Sequence, residues 1–320
     1  MDEAKHLKPF AIRHCPVCNN DQILGRSEIS SNPKAETLPF DELIPYWNGF
    51  FKQKIFFSYY RCEKCKILFC REYLSSSQLI ERYGRMPDNT AGVSVQALEK
   101  TQKSYFRALK KYSKLTGEYL EIGPDIGLFT EYCVREGTFE YFWLFEPNQS
   151  VHQELERIMP EKKYTISSNM FDYNCIPDQR ISTAVMIHVL DHLIDPKATL
   201  QEIRKKLREE AILLFVTHNE SSILAKITRN KWPPYCLQHP QLFNAGSIQG
   251  LMKAAGYTVL ETIKSYNYFP IMYLVKHLLW SVGVKKVHIP NIDLLHLPVK
   301  LGNIITIATK KVKKVKKDSC

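Results

Sequence analysis

Apolar and polar positions along the chain change rhythm near residue 117. Upstream, Leu98, Tyr105, Leu109 and Tyr112 recur at helical spacing. The stretch 95–115 is therefore predicted to be an amphipathic helix, with a shorter one at 77–83. Downstream, short apolar runs alternate with helical stretches. Strands are predicted at 119–122, 141–145, 164–166, 181–187, 211–217 and 257–263, and helices at 129–136, 150–159, 196–207 and 248–255. Alternation of this kind predicts an α/β fold on a Rossmann-like, doubly wound, mostly parallel sheet. The β-branched run 302–309 supplies one more strand. Ahead of it, 264–301 is an insertion with a hydrophobic helix candidate at 271–280, either packed on the core or serving as a lid.

The junction after the first strand carries the candidate chemistry. The sequence there runs Glu121-Ile-Gly123-Pro-Asp125-Ile-Gly127, a strand end followed by a glycine turn and a helix start. Glu146 closes the next apolar run. A strand, a glycine-rich turn and an acid roughly 20 positions on form a nucleotide-binding signature. A dinucleotide site asks for G-x-G-x-x-G, but Asp125 and Leu128 occupy the later glycine positions. Asp125 is compatible with the turn because aspartate tolerates left-handed backbone better than most residues. Its carboxylate either meets a ligand or caps the following helix.

Nine cysteines are present, and four have metal spacing: Cys15-Pro-Val-Cys18 and Cys62-Glu-Lys-Cys65. Each C-x2-C turn aims two thiolates at one point, and two such turns complete a tetrahedral Zn2+ site. A closed four-thiolate site has no open position, so a structural or substrate-shaping role is expected. The runs 59–61 and 67–69 flank the second turn as a hairpin, and 31–54 is a loop excursion punctuated by Pro33, Pro39 and Pro45. Trp232-Pro-Pro-Tyr235 has the outline of an amine-binding motif, but it follows the fifth strand and opens with Trp, so it reads as a turn.

Charge and hydropathy locate the molecule. Net charge is +11, and the run at 310–317 supplies six lysines, without which the body is near +5. Such a run reads as a solvated tail, with peripheral contact to an anionic membrane as its second reading. No apolar stretch has the length of a membrane span, and Met1 to Lys8 is polar, so a cytoplasmic, membrane-peripheral at most, location is expected.

The E-x-G-x-x-x-G pattern of Glu121, Gly123 and Gly127 resembles motif I of the class I S-adenosylmethionine (SAM) methyltransferases. His188-Val-Leu-Asp-His-Leu-Ile-Asp-Pro196 resembles the segment that follows the fourth strand in that family, and Trp232 to Tyr257 the segment after the fifth. The resemblance implies a seven-stranded sheet with the last strand antiparallel. It also implies that Glu121, Gly123, Asp125 and Gly127 hold the methionyl end of SAM, Glu146 the ribose, and Asn169 and Met170 the adenine. With its cysteine turns the chain is similar to zinc-containing sugar methyltransferases and enzymes of polysaccharide biosynthesis. Those carry Glu-His where this chain has Gln238-His239. The implied activity is methyl transfer to a small-molecule acceptor, a sugar or lipid-linked glycan hydroxyl. The candidate general bases are His239, His188 and His192, and Asp191 either orients a histidine or is a solvated helix residue. The alternatives are an RNA or protein methyltransferase, and a non-catalytic binding protein on this scaffold; nucleic acid is disfavoured because the basic residues concentrate in the tail. The expected organisation is a zinc-binding, zinc-ribbon-like module over 1–75, a helical cap over 76–116, a catalytic domain over 117–309 and a basic tail over 310–320.

Overall fold

The computed structural model describes residues 10–22, 25–47, 54–83, 94–170, 172–272, 275, 295–300 and 302–310. The N-terminal part contains β1 (Ala11–Ile12), the single-turn helix α1 (Phe40–Leu43), β2 (Tyr59–Arg61), β3 (Leu68–Cys70), β4 (Glu72–Tyr73), α2 (Ser76–Tyr83) and α3 (Val95–Lys110). The alternating part runs β5 (Thr116–Ile122), α4 (Leu128–Glu136), β6 (Thr138–Phe145), α5 (His152–Arg157), β7 (Tyr164–Ser167), β8 (Ile181–Ile187), α6 (Pro196–Lys206) and β9 (Leu207–His218). It continues through α7 (Ile223–Thr228), β10 (Gln241–Leu242), α8 (Ala245–Ala254), β11 (Thr258–Lys264), β12 (Asn267–Pro270), β13 (His296–Val299) and β14 (Asn303–Thr309).

Seven strands form the main sheet in the order β11-β14-β9-β8-β5-β6-β7. β14 lies antiparallel between β11 and β9, while the pairs from β9 to β7 are parallel. This is the expected Rossmann-like sheet with its last strand reversed. The central strands are apolar on both faces because helices cover both sides; Ile181 to Met186 of β8 are all buried. Chain order reverses between β5 and β8. The carboxyl ends of those two strands thus flank a topological switch point, where open α/β sheets bind ligands. Local chemistry sets the helix starts. Asp195 caps α6 by accepting from the Ala198 N–H, with Pro196 in the first turn, and Asn244 and Ser247 form a reciprocal capping box on α8.

Several boundaries differ from the periodicity. α3 stops at Lys110 rather than 115, with Lys111 as its C-cap, and Leu115 at φ 54° then delivers the chain into β5. The predicted helix 150–159 resolves into a 3-10 turn, Gln149–Val151, and the six-residue α5. The predicted strand 211–217 extends back to Leu207. In the 264–301 insertion, β12 and β13 pair as an antiparallel stem. Of the predicted helix at 271–280 only Ile271, Met272 and Val275 are described, and the lysine run beyond Lys310 lies outside the described residues.

The N-terminal part is not a separate bead. β2 and β3 form the expected hairpin, but β10 adds to β3 as a third strand, Gln241 opposite Phe69 and Leu242 opposite Leu68. Cys15, Val17, Cys62, Ile67 and Phe69 share one apolar core with Val189, Leu190, Leu193 and Phe243. The described residues around the two cysteine turns therefore share a sheet and a core with the segments after β8 and β9. Among the described residues no helix is long and apolar enough to cross a membrane.

Candidate functional site

The turn after β5 is held by protein contacts on every side. The Gly123 N–H donates to the Phe145 carbonyl at 2.8 Å, tying the turn to the end of β6. Gly123 has φ +70°, and a Cβ there would lie 2.7 Å from Cγ2 of Val189. Gly127 has φ +81° and begins α4; a Cβ there would meet Ile158 at 2.6 Å and Leu155 at 2.8 Å. Packing within the chain thus already excludes side chains at both positions, a stricter reason for glycine than ligand approach alone. Asp125 takes φ 54°, the left-handed conformation that aspartate tolerates.

Two buried carboxylates bracket this turn. Oε2 of Glu121 accepts from Tyr119 Oη at 2.6 Å and from Thr130 Oγ1 at 2.5 Å. Its Oε1 has no hydrogen bond among the described residues. Burial pushes the Glu121 carboxyl up to about 7, since the charged form loses hydration. Glu146 accepts from the Asp125 N–H at 2.9 Å and the Asn148 N–H at 2.8 Å, one bond to each oxygen. Its pKa is also raised by burial. Each carboxylate oxygen has two lone pairs, so Glu146 retains acceptor capacity on both. Asn169 and Met170 follow β7 on the same side. The Asn169 N–H donates to Ser167 Oγ at 3.2 Å, and the Met170 carbonyl accepts from Tyr173 Oη at 2.5 Å.

Across the switch point, the three histidines singled out in the sequence converge, joined by a fourth. The rings of His188 and His218 lie 4.5 Å apart, His218 and His239 4.8 Å, and His192 and His239 4.7 Å. Asp191 sits beneath them, fully buried. Its Oδ2 accepts from the His218 N–H at 2.9 Å and faces His218 Nδ1 at 2.8 Å. Of the two readings of Asp191, the structure supports the orienting one. His218 was not identified in the sequence, because a lone histidine at a strand end carries no local motif. Burial lowers all four imidazoles, His188 to about 3 and His218 and His239 to about 4, so they are neutral at pH 7. Burial also raises Asp191, to about 6. His239 Nδ1 lies 2.6 Å from the Pro234 carbonyl. That contact requires the proton on Nδ1 and leaves the lone pair on Nε2, which has no hydrogen bond among the described residues. Val189, beside His188, is the residue that meets Gly123, so the loop after β8 packs on the glycine turn.

The four predicted metal cysteines also converge. The sulfurs of Cys15 and Cys65 are 3.3 Å apart, those of Cys18 and Cys62 3.5 Å, and all four fall within 4.8 Å of one another. A tetrahedron with 2.3 Å metal–sulfur bonds has edges of about 3.8 Å, so the donor set and its spacing suit zinc. Cys70, Cys133 and Cys236 are buried elsewhere. The Trp232-Pro-Pro-Tyr235 segment is a turn, with the Tyr235 N–H donating to the Trp232 carbonyl at 3.0 Å.

The N-terminal part walls the imidazole cluster. Tyr59 Oη donates to the His239 carbonyl at 2.6 Å, and Tyr73 Oη to the Leu237 carbonyl at 2.6 Å. The buried Arg13 guanidinium donates to the carbonyls of Pro240 and Ile194 and to Gln241 Oε1 at 2.9, 2.7 and 2.8 Å. Gln241 Nε2 in turn donates to the carbonyls of Leu190 and Leu193. One buried network therefore clasps the segment carrying Asp191 and His192 to the one carrying His239.

A family model described as a methyltransferase domain matches residues 97–262. Solved structures with a similar fold include a chain from the complex of the Haloferax volcanii Trm112 methyltransferase activator, at 10% identity and TM-score 0.49, covering 68% of this chain and 92% of that one. A SAM-dependent methyltransferase of Thermotoga maritima matches at 15% identity and TM-score 0.45, covering 67% and 91%. One from Leishmania major matches at 11% and 0.47, covering 72% and 81%. No curated protein matches the sequence.

Proposed function

The chain belongs to the class I SAM-dependent methyltransferases, and on that premise we propose that it methylates a hydroxyl of a small neutral acceptor, a sugar or a lipid-linked glycan, with His239 as general base. The observation that carries this reading is the packing of Val189, next to His188, over Gly123, which brings the loop after β8 up to the glycine turn. When bound, SAM supplies an electrophilic methyl on a sulfonium, which passes to the acceptor oxygen and leaves S-adenosylhomocysteine.

The residues present fit that cofactor. Glu121 keeps one oxygen, Oε1, without a hydrogen bond among the described residues, suited to an ammonium group. Glu146 retains one acceptor position on each oxygen, suited to two ribose hydroxyls. Asn169 and Met170, just after β7, would hold the adenine. His239 Nε2, its tautomer fixed by Pro234, takes the acceptor's hydroxyl proton as the oxygen gains the methyl. Beyond His188, on the side away from Asp191, the neighbours are polar and neutral. His188 Nε2 lies 3.3 Å from the Asn303 amide, Asn303 3.4 Å from Asn267, and Asn267 3.1 Å from Tyr105 Oη. Such a chain of neutral donors and acceptors suits a hydroxylated ligand better than an anion. Zn2+ on the four cysteines would hold the wall described above rather than take part in the transfer.

The test is calorimetric titration of S-adenosylhomocysteine, followed by radiolabelled methyl transfer to panels of sugars, lipid-linked glycans, RNA and protein. Micromolar binding, weakened about 10- to 100-fold in Glu146→Ala, and label on a glycan that is lost in His239→Gln are expected. Label on RNA or protein alone would overturn the acceptor, and absence of binding would leave a non-catalytic scaffold.

A further inference from the structure

Beneath the imidazole cluster lies a set of donors that the base assignment leaves unexplained. His188, Asp191 and His218 each offer one ligand atom, and these atoms lie within 4.8 Å of one another. Two of the polar atoms are unsatisfied. His188 Nδ1 and Asp191 Oδ1 are buried and have no hydrogen-bond partner. A buried orphan costs about 1–3 kcal/mol, more for a charged group. Two such atoms on residues whose ligand atoms converge, one of them a carboxylate oxygen, point to something that binds both residues.

We propose that His188, Asp191 and His218 hold a divalent first-row transition ion, distinct from the four-cysteine centre, with an open position toward the acceptor. Two imidazoles and a carboxylate are the donor set of zinc, iron(II), manganese and cobalt sites that keep coordination positions for water or substrate. The arrangement already has its supporting contacts. Oδ2 of Asp191 receives the His218 backbone N–H, which orients the carboxylate. With the carboxylate binding through both oxygens, the 2.8 Å separation of Oδ2 from His218 Nδ1 is close to the roughly 3 Å edge of a coordination shell with bonds of about 2.1 Å, and Oδ1 gains its partner. His188 adopts φ 55°, a left-handed conformation that a non-glycine residue holds only when its surroundings enforce it.

Coordination also resolves a conflict in the amide chain. With Asn303 donating to His188 Nε2, the His188 proton would sit on the orphaned Nδ1, a buried donor with nothing to meet. Amide nitrogen and oxygen are interchangeable in such a chain. With Asn303 and Asn267 both turned over, His188 Nε2–H donates to Asn303, Asn267 donates to Asn303, and Tyr105 Oη donates to Asn267. The contact between each pair of partners is retained, and the Nδ1 lone pair becomes free for the ion. A ligand histidine that donates its other N–H to a carbonyl oxygen is the usual supporting arrangement in metal sites. The ion's role in polarising an acceptor oxygen rests on the methyl-transfer reading above; its binding does not.

The experiment is titration of Co2+ into the full-length, metal-stripped protein under reducing conditions, with metal analysis and S-adenosylhomocysteine calorimetry on the same sample. Two equivalents per chain are expected. One brings the intense thiolate-to-cobalt absorption of a four-cysteine site. The other shows only weak ligand-field bands and disappears in Asp191→Asn and in His188→Gln while the thiolate band remains, which also reports that those variants are folded. A wild-type chain that binds one equivalent with the thiolate spectrum overturns the proposal, as does a second equivalent unchanged in both variants. Nucleoside binding without a second ion sinks the metal site alone. A second ion without nucleoside binding sinks the methyl-transfer reading alone.

Discussion

Glu121 shows how one residue's burial makes a pH-dependent handle. Its folded pKa of about 7 lies above the unfolded value of about 4.3. The folded state therefore binds the extra proton between those values, and its stability is full below about pH 4 and declines as pH rises to about 7. The size of the decline is on the order of 3 kcal/mol. Glu121→Gln, which keeps an acceptor for Tyr119 and Thr130, should flatten that slope in urea unfolding measured at pH 5 and pH 8. An ammonium group at Oε1 would favour the ionised form, so S-adenosylhomocysteine binding should strengthen from pH 6 to 8 in the wild type and lose that trend in the glutamine variant. Gly123 gives a second test at this scale. Gly123→Ala should cost about 1–3 kcal/mol through overpacking on Val189 and left-handed strain. Trimming Val189→Ala in the same chain should recover the packing part, leaving roughly 1 kcal/mol; additive losses in a double-mutant cycle would show that the two residues do not meet.

Between elements, the Arg13–Gln241 clasp ties the N-terminal part to the segments after β8 and β9. Arg13 joins the segment after β8, the start of β10 and the N-terminal part through three bonds under 3 Å. Arg13→Leu should lower stability by about 3 kcal/mol, because it strips buried carbonyls of their donor. Arg13→Lys should restore little, since an ammonium does not reproduce the planar fork. Equal stability of Arg13→Leu and wild type in thermal unfolding would remove the clasp from the account. The clasp also marks what the sequence could and could not reveal. β8 was readable to the residue, because an unbroken apolar run between polar flanks has one stable solution in a covered sheet. The glycine turn, its two carboxylates and the paired cysteine turns were readable because each is a local pattern. β10 and β12 were not, since strands of two and four residues form only when a distant partner supplies the ladder. His218 and the donor set with Asp191 were missed for the same reason: they come together only when β8 and β9 lie side by side.

At the scale of the whole molecule, the paired cysteines share one core with Val189 and Phe243, and also with Leu120, Ile122 and Phe145 beside the proposed cofactor carboxylates Glu121 and Glu146, but it is β10 that pairs directly with the β2–β3 hairpin. Ordering of the β2–β3 hairpin by a metal ion would therefore be transmitted to β10 and to the carbonyl of His239 that Tyr59 holds. The two halves of the site should respond differently to its loss. Cys62→Ser with Cys65→Ser, or removal of the ion by a chelator, should loosen the β3–β10 pairing and cut methyl transfer at least about tenfold. That corresponds to roughly 1.4 kcal/mol of lost positioning. S-adenosylhomocysteine affinity should stay near the wild-type value, because none of the residues assigned to it belongs to the hairpin. Hydrogen exchange provides the structural readout, with protection lost across 59–70 and 237–243 but kept across 116–122. Equal loss of nucleoside affinity and transfer would mean that the hairpin supports the sheet as a whole rather than the acceptor wall.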